Sequence, residues 1–126
     1  MSSKIRVLIA DDHRLFAEAL EAILAAEPRV EVVGRAHNGE EAVEQALALK
    51  PDVILMDIAM PVMDGVEATK RIRSKRRTAT VVILTGSNAR EDVARSREAG
   101  AAAYVTKDRI ASQLIETILE VAPSAK

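Results

Sequence analysis

Short apolar segments alternate with longer amphipathic segments along the whole chain. Five of the short segments combine β-branched and aliphatic residues, as β-strands do. These predicted strands span residues 5–10, 30–36, 52–56, 80–85 and 102–106. The third and fourth are apolar at every position of 53–56 and 81–84, which is typical of strands buried on both faces. The pattern therefore predicts one parallel sheet with helices on both sides.

A helix is predicted after each strand. The predicted helices span about 14–26, 38–50, 64–74, 88–98 and 109–121. In the first of them, apolar residues recur at helical spacing: Leu15, Phe16, Ala19, Leu20, Ile23 and Leu24. Asn38, Asp64 and Asn88 each stand three residues before a glutamate, as in the capping box that starts many helices. Strands and helices together predict an α/β fold, a doubly wound (βα)₅ domain.

Composition excludes several classes of protein. The 126 residues include no cysteine, so disulfides and thiolate metal sites are ruled out. The net charge of −1 argues against broad electrostatic binding of nucleic acid by this chain alone. No apolar run approaches the roughly 20 residues of a membrane span, and the N-terminus lacks the features of a signal peptide. We expect a cytoplasmic protein with one domain, 1–121, and a flexible tail or the start of a truncated linker at 122–126.

A basic run at residues 70–77, KRIRSKRR, carries six cations. Cations are favourable near the C-terminus of a helix, so the solvated end of the third helix is the simpler interpretation. A docking surface for an acidic partner or for DNA is the alternative.

Chemically reactive side chains follow the predicted strands at the points where the strands end. Asp11 and Asp12 follow the first strand, and Asp57 follows the third. Thr85 ends the fourth strand, and Lys107 follows the fifth. Ligands of open parallel sheets bind at the carboxyl ends of the strands, so these side chains are expected to form one site. Crowded carboxylates raise one another's pKa, and a hard cation such as Mg²⁺ relieves their repulsion.

Each of these residues also has a simpler interpretation when it is taken alone. Asp12 fits the N-cap of the first helix, and Thr85 fits an ordinary strand-end hydroxyl. Lys107 fits a solvated lysine at a helix start. A site is favoured because all of the residues fall at the same end of the predicted sheet.

The sequence resembles the response-regulator receiver domains of two-component systems over essentially its whole length. The motifs that carry the resemblance are VLIADDH, DVILMDIAMPVMDG, VVILTG and AGAAAYVTKD. The stretches DDHRLF and YVTKD are most similar to receivers of the NarL/FixJ type, which usually precede a helix-turn-helix DNA-binding domain. The resemblance implies a flavodoxin-like strand order of 2-1-3-4-5.

The resemblance also implies a role for each residue of the predicted site. Asp57 matches the residue that accepts a phosphoryl group from a sensor histidine kinase or a phosphotransfer protein. Asp11, Asp12, Asp57 and the backbone carbonyl of Ala59 match the ligands of Mg²⁺. Lys107 matches the cation that pairs with the phosphoryl oxygens. Such a protein promotes its own phosphorylation and dephosphorylation but is not a separate turnover enzyme.

Thr85 and Tyr104 match a pair that carries the signal away from the site. By resemblance, Thr85 moves to hydrogen-bond the phosphoryl group, and Tyr104 turns inward into the space that Thr85 leaves. The predicted fourth helix has few apolar anchors, so it is expected to shift as well. A phosphorylation-dependent homodimer is a further expectation, and DNA is expected to be contacted only through a domain outside this chain.

Other functions remain open from the sequence. A stand-alone receiver that acts by protein–protein contact is the first alternative. A Mg²⁺-dependent phosphatase with Asp57 or Asp11 as nucleophile is another, although such enzymes usually carry a D-x-D motif and a cap segment. A receiver-like module that has lost phosphorylation is disfavoured because all five side chains of the predicted site are present.

Overall fold

The computed structural model describes residues 4–86 and 90–123, and within them five strands alternate with five α-helices. The strands are β1 (Ile5–Ala10), β2 (Val30–Ala36), β3 (Val53–Asp57), β4 (Val81–Thr85) and β5 (Ala103–Thr106). The helices are α1 (Arg14–Ala25), α2 (Gly39–Leu49), α3 (Gly65–Lys75), α4 (Arg90–Glu98) and α5 (Ile110–Val121). A short 3₁₀ turn, Lys107–Arg109, joins β5 to α5. The predicted cap Asn88 and the tail residues 124–126 lie outside the described residues.

The five strands form one parallel sheet in the order β2-β1-β3-β4-β5, which confirms the predicted fold. The strands β3 and β4 are buried at every position, as their continuous apolar sequence predicts. The strand order reverses between β1 and β3, since β2 lies on one side of β1 and the later strands lie on the other. Open α/β sheets bind ligands at such a switch point.

Alternate residues of the strands pack into two separate hydrophobic layers. One layer lies against α1 and α5, and the other lies against α2 and α3. Burial of each large aliphatic side chain in these layers contributes about 1.5–3 kcal/mol to folding. The sheet is thus held rigidly from both faces, and the ends of its central strands are fixed in position.

The predicted apolar face of α1 is wrong at two positions. Leu15 is 81 % exposed, and Ala19 is also exposed, whereas Ala17, Leu20 and Leu24 are buried. At 3.6 residues per turn, Leu15 lies about half a turn around the helix from Leu24. The sheet contacts only one narrow stripe of α1, so an apolar residue outside that stripe faces solvent.

The two predicted helix caps that lie within the described residues are both present. The side chain of Asn38 accepts a hydrogen bond from the Glu41 amide at 2.8 Å, and Asp64 accepts one from the Glu67 amide at 2.8 Å. These bonds satisfy amide groups that have no partner within the helix, and they fix where α2 and α3 begin.

The helix α4 is the least firmly anchored helix among the described residues. Its buried residue is Ser96, and it supplies no side chain to either hydrophobic layer. One contact to the rest of the domain is an ion pair, in which Arg95 Nη2 lies 3.3 Å from Asp64 Oδ2 at the start of α3. Little apolar burial opposes a displacement of this helix.

The basic run of residues 70–77 is mainly the exposed end of α3. Arg71 pairs with Glu67 on the same helix, and Arg73 donates a hydrogen bond to the Ala79 carbonyl at 2.6 Å. None of the helices in 4–86 and 90–123 has the length and apolar character that crossing a membrane requires.

Candidate functional site

Two aspartates lie together at the carboxyl edge of the sheet, where the neighbouring strands β1 and β3 end. The two strands are hydrogen-bonded neighbours in which Ala10 pairs with Met56, so Asp11 and Asp57 come next on each strand. Both residues are buried, with 2 % and 3 % of their surface exposed. Lys107 Nζ lies 3.6 Å from Asp11 Oδ2 and 3.7 Å from Asp57 Oδ2. The structure thus joins three of the residues that the sequence predicts for the site.

The charges in this pocket do not balance. Burial, followed by the negative charge of Asp11, raises the pKa of Asp57 from 3.8 to about 6. Lys107 and a hydrogen bond from the Ala59 amide oppose this rise, and Asp12 adds to it. A single ammonium group therefore does not compensate for the carboxylates that surround it.

The donor atoms in the pocket fit a hard divalent cation. Asp11 Oδ1 accepts a hydrogen bond from the His13 amide at 2.7 Å, but Asp11 Oδ2 is buried and has no hydrogen-bond donor among the described residues. Asp11, Asp12, His13 and Asp57 each offer one ligand atom, and these atoms lie within 4.8 Å of one another. A Mg²⁺ ion would supply the missing positive charge and could bind this oxygen, which accepts no hydrogen bond.

The loop after β3 is shaped closely around Asp57. The Ala59 amide donates to Asp57 Oδ1 at 3.4 Å, and the Gly65 amide donates to the Ile58 carbonyl at 2.9 Å. A side chain at Gly65 would overlap the backbone oxygen of Asp57, so only glycine allows α3 to begin this close to the pocket. Val62 has a φ of 70°, an unfavourable conformation for a β-branched residue.

Thr85 and Tyr104 lie beside the pocket and contact each other. Thr85 ends β4 next to β3 and is 2 % exposed, while Tyr104 on β5 is half-buried. Burial raises the pKa of the Tyr104 hydroxyl, a hydrogen bond with Thr85 opposes this, and Asp92 adds a smaller increase. The Tyr104 ring is therefore linked directly to a residue at the edge of the pocket.

A groove of about 680 Å³ opens on the outer side of Tyr104. Val93 of α4 lines one side of the groove, and Gln113 of α5 lines the other. Lys107 contributes to the same groove, so the acidic pocket and this surface of the sheet share a residue.

Two residues near the pocket have contacts that the sequence does not predict. Phe16 was expected only to pack in the core, but its ring centroid lies 4.1 Å from Lys107 Nζ, in a cation–π contact. His13 follows the acid pair directly, and its Nδ1 lies within 4 Å of both aspartates. The one available signal for Phe16 was that aromatic residues are almost absent from the chain.

A parallel sheet in this order, with an acidic pocket and a lysine at its carboxyl edge, defines a receiver-type α/β domain. The response regulator receiver domain family matches residues 7–119, and the chain belongs to this family. Receiver domains generally bind Mg²⁺ in an acidic pocket, which agrees with the donor atoms described above.

The chain is similar to parts of relatives whose names indicate different activities. The transcriptional regulatory protein LiaR of Bacillus subtilis is 42 % identical over 114 residues, which is 90 % of this chain and 54 % of LiaR. A protein-glutamate methylesterase/protein-glutamine glutaminase of Halalkalibacterium halodurans is 35 % identical over 136 residues, covering 100 % of this chain and 39 % of that protein. The chain thus spans about half or less of the length of these relatives.

A solved structure agrees closely with the fold. The signal receiver domain of the putative response regulator NarL from Mycobacterium tuberculosis has a TM-score of 0.90 and 33 % sequence identity. The match covers 94 % of this chain and 96 % of that one. The predicted similarity to NarL-type receivers is confirmed.

The raised pKa of Asp57 predicts how stability depends on pH in metal-free buffer. An unfolded aspartate loses its proton near pH 3.8, whereas folded Asp57 retains it to about pH 6. The folded state therefore binds more protons between these values, and its free energy of unfolding falls as the pH rises through them. We expect Asp57→Asn to gain stability relative to the wild type, by up to about 3 kcal/mol at pH 7 and much less at pH 4.

Urea unfolding followed by circular dichroism in EDTA measures this difference at several pH values. Asp108→Asn is the matched control, because Asp108 is an exposed acid adjacent to Lys107. A stability difference between Asp57→Asn and the wild type that stays constant from pH 4 to pH 7 would contradict the expectation.

The contact between Phe16 and Lys107 predicts a measurable coupling energy. In a double-mutant cycle of Phe16→Leu and Lys107→Met, unfolding free energies should deviate from additivity by about 0.5–2 kcal/mol. Phe16→Tyr keeps an aromatic ring at residue 16. When the cycle is repeated with this variant, we expect almost no loss of unfolding free energy at that position. Additive single mutations would mean that the ring does not stabilise the ammonium group.

Proposed function

We propose that this chain accepts a phosphoryl group on Asp57 from the phosphohistidine of a sensor histidine kinase or a phosphotransfer protein. The observation that carries the proposal is the buried Asp57 carboxylate at the switch point of the sheet, with Lys107 Nζ 3.7 Å from its Oδ2. Membership of the receiver family supports the same conclusion.

The transfer needs little more than placement and charge neutralisation. An oxygen of Asp57 forms a bond to phosphorus while the phosphorus–nitrogen bond of phosphohistidine breaks, and the imidazole departs. With a pKa of about 6, Asp57 is mostly ionised at neutral pH and can act as the nucleophile. Lys107 is close enough to pair with a phosphoryl oxygen, and Thr85 would donate a hydrogen bond to another.

In this proposal Asp11, Asp12, Asp57 and the backbone carbonyl of Ala59 hold Mg²⁺. The buried Oδ2 of Asp11, which accepts no hydrogen bond, and the excess of negative charge support the assignment. When bound, the ion neutralises negative charge on the phosphoryl oxygens during transfer. The side chain of Asp12 is a third exposed, whereas Asp11 and Asp57 are buried, so Asp12 is the most accessible of the three carboxylates.

Thr85 and Tyr104 would carry the signal from the pocket to the surface. If Thr85 turns toward the phosphoryl group, its hydrogen bond with Tyr104 breaks, and Tyr104 can move inward with α4. One such hydrogen bond contributes about 1 kcal/mol, whereas a complete switch from 1 % to 99 % needs about 5.5 kcal/mol. Ionic contacts of Lys107 with the phosphoryl group must supply most of the difference, or the shift is partial.

We further propose that residues 1–121 are a cytoplasmic receiver unit, with 122–126 as a tail or the start of a linker, and that the output is transcription. The similarity to NarL-type receivers and to LiaR favours a helix-turn-helix domain outside this chain. The net charge of −1 agrees with DNA contact through such a domain rather than through the receiver. A stand-alone receiver acting by protein contact is the second candidate.

A phosphatase is the weaker alternative. Its D-x-D motif is absent after β1, where Asp11 and Asp12 are adjacent. The chain is therefore proposed to promote its own phosphorylation and dephosphorylation without turning over a separate substrate. The methylesterase among its relatives provides no evidence that this segment has such an activity, since the match covers only 39 % of that protein.

Phosphorylation of Asp57 can be tested with a small-molecule phosphodonor and intact-mass measurement. We expect the wild type to gain one phosphoryl group in the presence of Mg²⁺ and none in EDTA. Asp57→Ala should gain none, because it lacks the nucleophile. The matched control Asp108→Asn, which changes an exposed acid next to Lys107, should be modified like the wild type. Modification of Asp57→Ala to the same extent would place the acceptor elsewhere.

Self-association on phosphorylation is expected through the face formed by α4, β5 and α5, because Tyr104 and the groove lie there. Sedimentation velocity should detect a larger species for the phosphorylated protein than for the unmodified one. Gln113→Arg, on the groove, should prevent the change, whereas Ala48→Arg adds the same charge on the exposed side of α2 and should not. Equal sedimentation of the two forms would contradict this dimer.

A further inference from the structure

The imidazole of His13 lies against the acid pair but is not used by the fold. His13 is the N-cap of α1, yet its side chain makes no capping hydrogen bond. Its Nδ1 lies 3.8 Å from Asp11 Oδ1 and 3.7 Å from Asp12 Oδ1, and both distances are too long for hydrogen bonds. The side chain is 71 % exposed, so small adjustments of the ring are unhindered.

A backbone hydrogen bond fixes the position of residue 13, from which the ring extends. The His13 amide donates to Asp11 Oδ1 at 2.7 Å, which holds the residue at the mouth of the pocket. Asp11 is almost fully buried, and its other oxygen has no hydrogen-bond donor among the described residues. That oxygen, Asp11 Oδ2, pairs with Lys107 Nζ at 3.6 Å, and one oxygen of Asp11 and one nitrogen of His13 are among the possible ligand atoms that lie within 4.8 Å of one another.

These separations are close to those of ligands on a single metal ion. In an octahedral site with bonds of about 2.1 Å, neighbouring ligand atoms are about 3.0 Å apart and opposite ones about 4.2 Å apart. The two distances from Nδ1 fall between these values. Small rotations of the exposed imidazole are enough to place its nitrogen in the coordination shell of an ion held by Asp11 and Asp12.

We propose that His13 is a nitrogen ligand of the cation in this pocket, and that it gives the site a preference for Co²⁺ or Ni²⁺ over Mg²⁺. The inference rests on the proposed function only in requiring that the acid pair binds a divalent cation. Carboxylate, carbonyl and water ligands suit Mg²⁺, whereas an imidazole nitrogen favours the later first-row transition metals. A pocket that offers only oxygen ligands lacks the nitrogen ligand on which this metal preference depends.

The chain contains its own control, since it has only two histidines. His37 is similarly exposed, but its Nδ1 is 3.0 Å from Glu41 Oε1, and the same oxygen accepts a hydrogen bond from the His37 amide. Within 4–86 and 90–123, His37 belongs to no group of three possible ligands. His37→Gln therefore removes an imidazole without changing the acidic pocket.

Electron spin echo modulation of bound Mn²⁺ detects a coordinated nitrogen directly, without any measurement of activity. We expect ¹⁴N modulation from an imidazole in the wild type and in His37→Gln, and its loss in His13→Gln. Nitrogen modulation that persists in His13→Gln would overturn the inference, as would its absence from Mn²⁺-loaded wild type.

Calorimetric titration tests the preference for one metal over another. We expect His13→Gln to weaken Ni²⁺ binding by about tenfold or more, which is the scale on which changes around a metal site alter its affinity. Mg²⁺ binding should weaken by less than about twofold, because Mg²⁺ prefers oxygen ligands. Equal losses for the two ions would overturn the inference.

Asp12→Asn separates the failure of this inference from the failure of the proposed function. Mn²⁺ that binds the wild type through Asp12 but shows no nitrogen signal refutes only the role of His13. A wild type that binds neither Mg²⁺ nor Mn²⁺ refutes the metal pocket itself, and the His13 inference fails with it.

Discussion

Two carboxylates, Asp11 and Asp57, are buried beside each other at the carboxyl ends of two central strands, and a single lysine, Lys107, pairs with both. This arrangement is unfavourable by itself, since burial and mutual repulsion raise the pKa of Asp57 to about 6. The domain tolerates it because apolar strands packed on both faces hold β1 and β3 rigidly. The pocket is left with a requirement for positive charge, which a divalent cation can satisfy.

The surroundings of the pocket connect it to two different surfaces of the domain. Lys107 contacts both acids and also lies over the ring of Phe16, so the turn that follows β5 is linked to α1. Thr85 and Tyr104 connect the pocket to the face that carries α4, the helix with the least apolar burial. A change of charge at Asp57 therefore acts first on the residues that are least restrained by the core.

The residues around the acidic pocket have different roles. Gly65 lets α3 begin against the backbone of Asp57, while Asp64 caps that helix and receives Arg95 from α4. His13 is placed at the mouth of the pocket by a backbone hydrogen bond and leaves its imidazole available to a cation. Asp64 and Gly65 thus have structural roles beside the pocket, whereas the His13 imidazole has no structural hydrogen bond.

Local patterns in the chain predict the alternation of strands and helices, the caps at Asn38 and Asp64, and the acids that follow β1 and β3. These features depend on local periodicity and on hydrogen bonds between near neighbours, which are visible in a short window. The burial of β3 and β4 followed from their continuous apolar sequence for the same reason. The strand order was implied by resemblance and not by the pattern itself.

Long-range packing selects the stripe of α1 that faces the sheet, and it leaves Leu15 exposed. It alone brought Lys107 to both acids and to Phe16, and set the distances from His13 to the acid pair. The contacts of Lys107 join residues far apart in the chain, and those of His13 depend on the angle at which α1 leaves the sheet. No local pattern encodes either property, because both arise when the two hydrophobic layers pack against the strands.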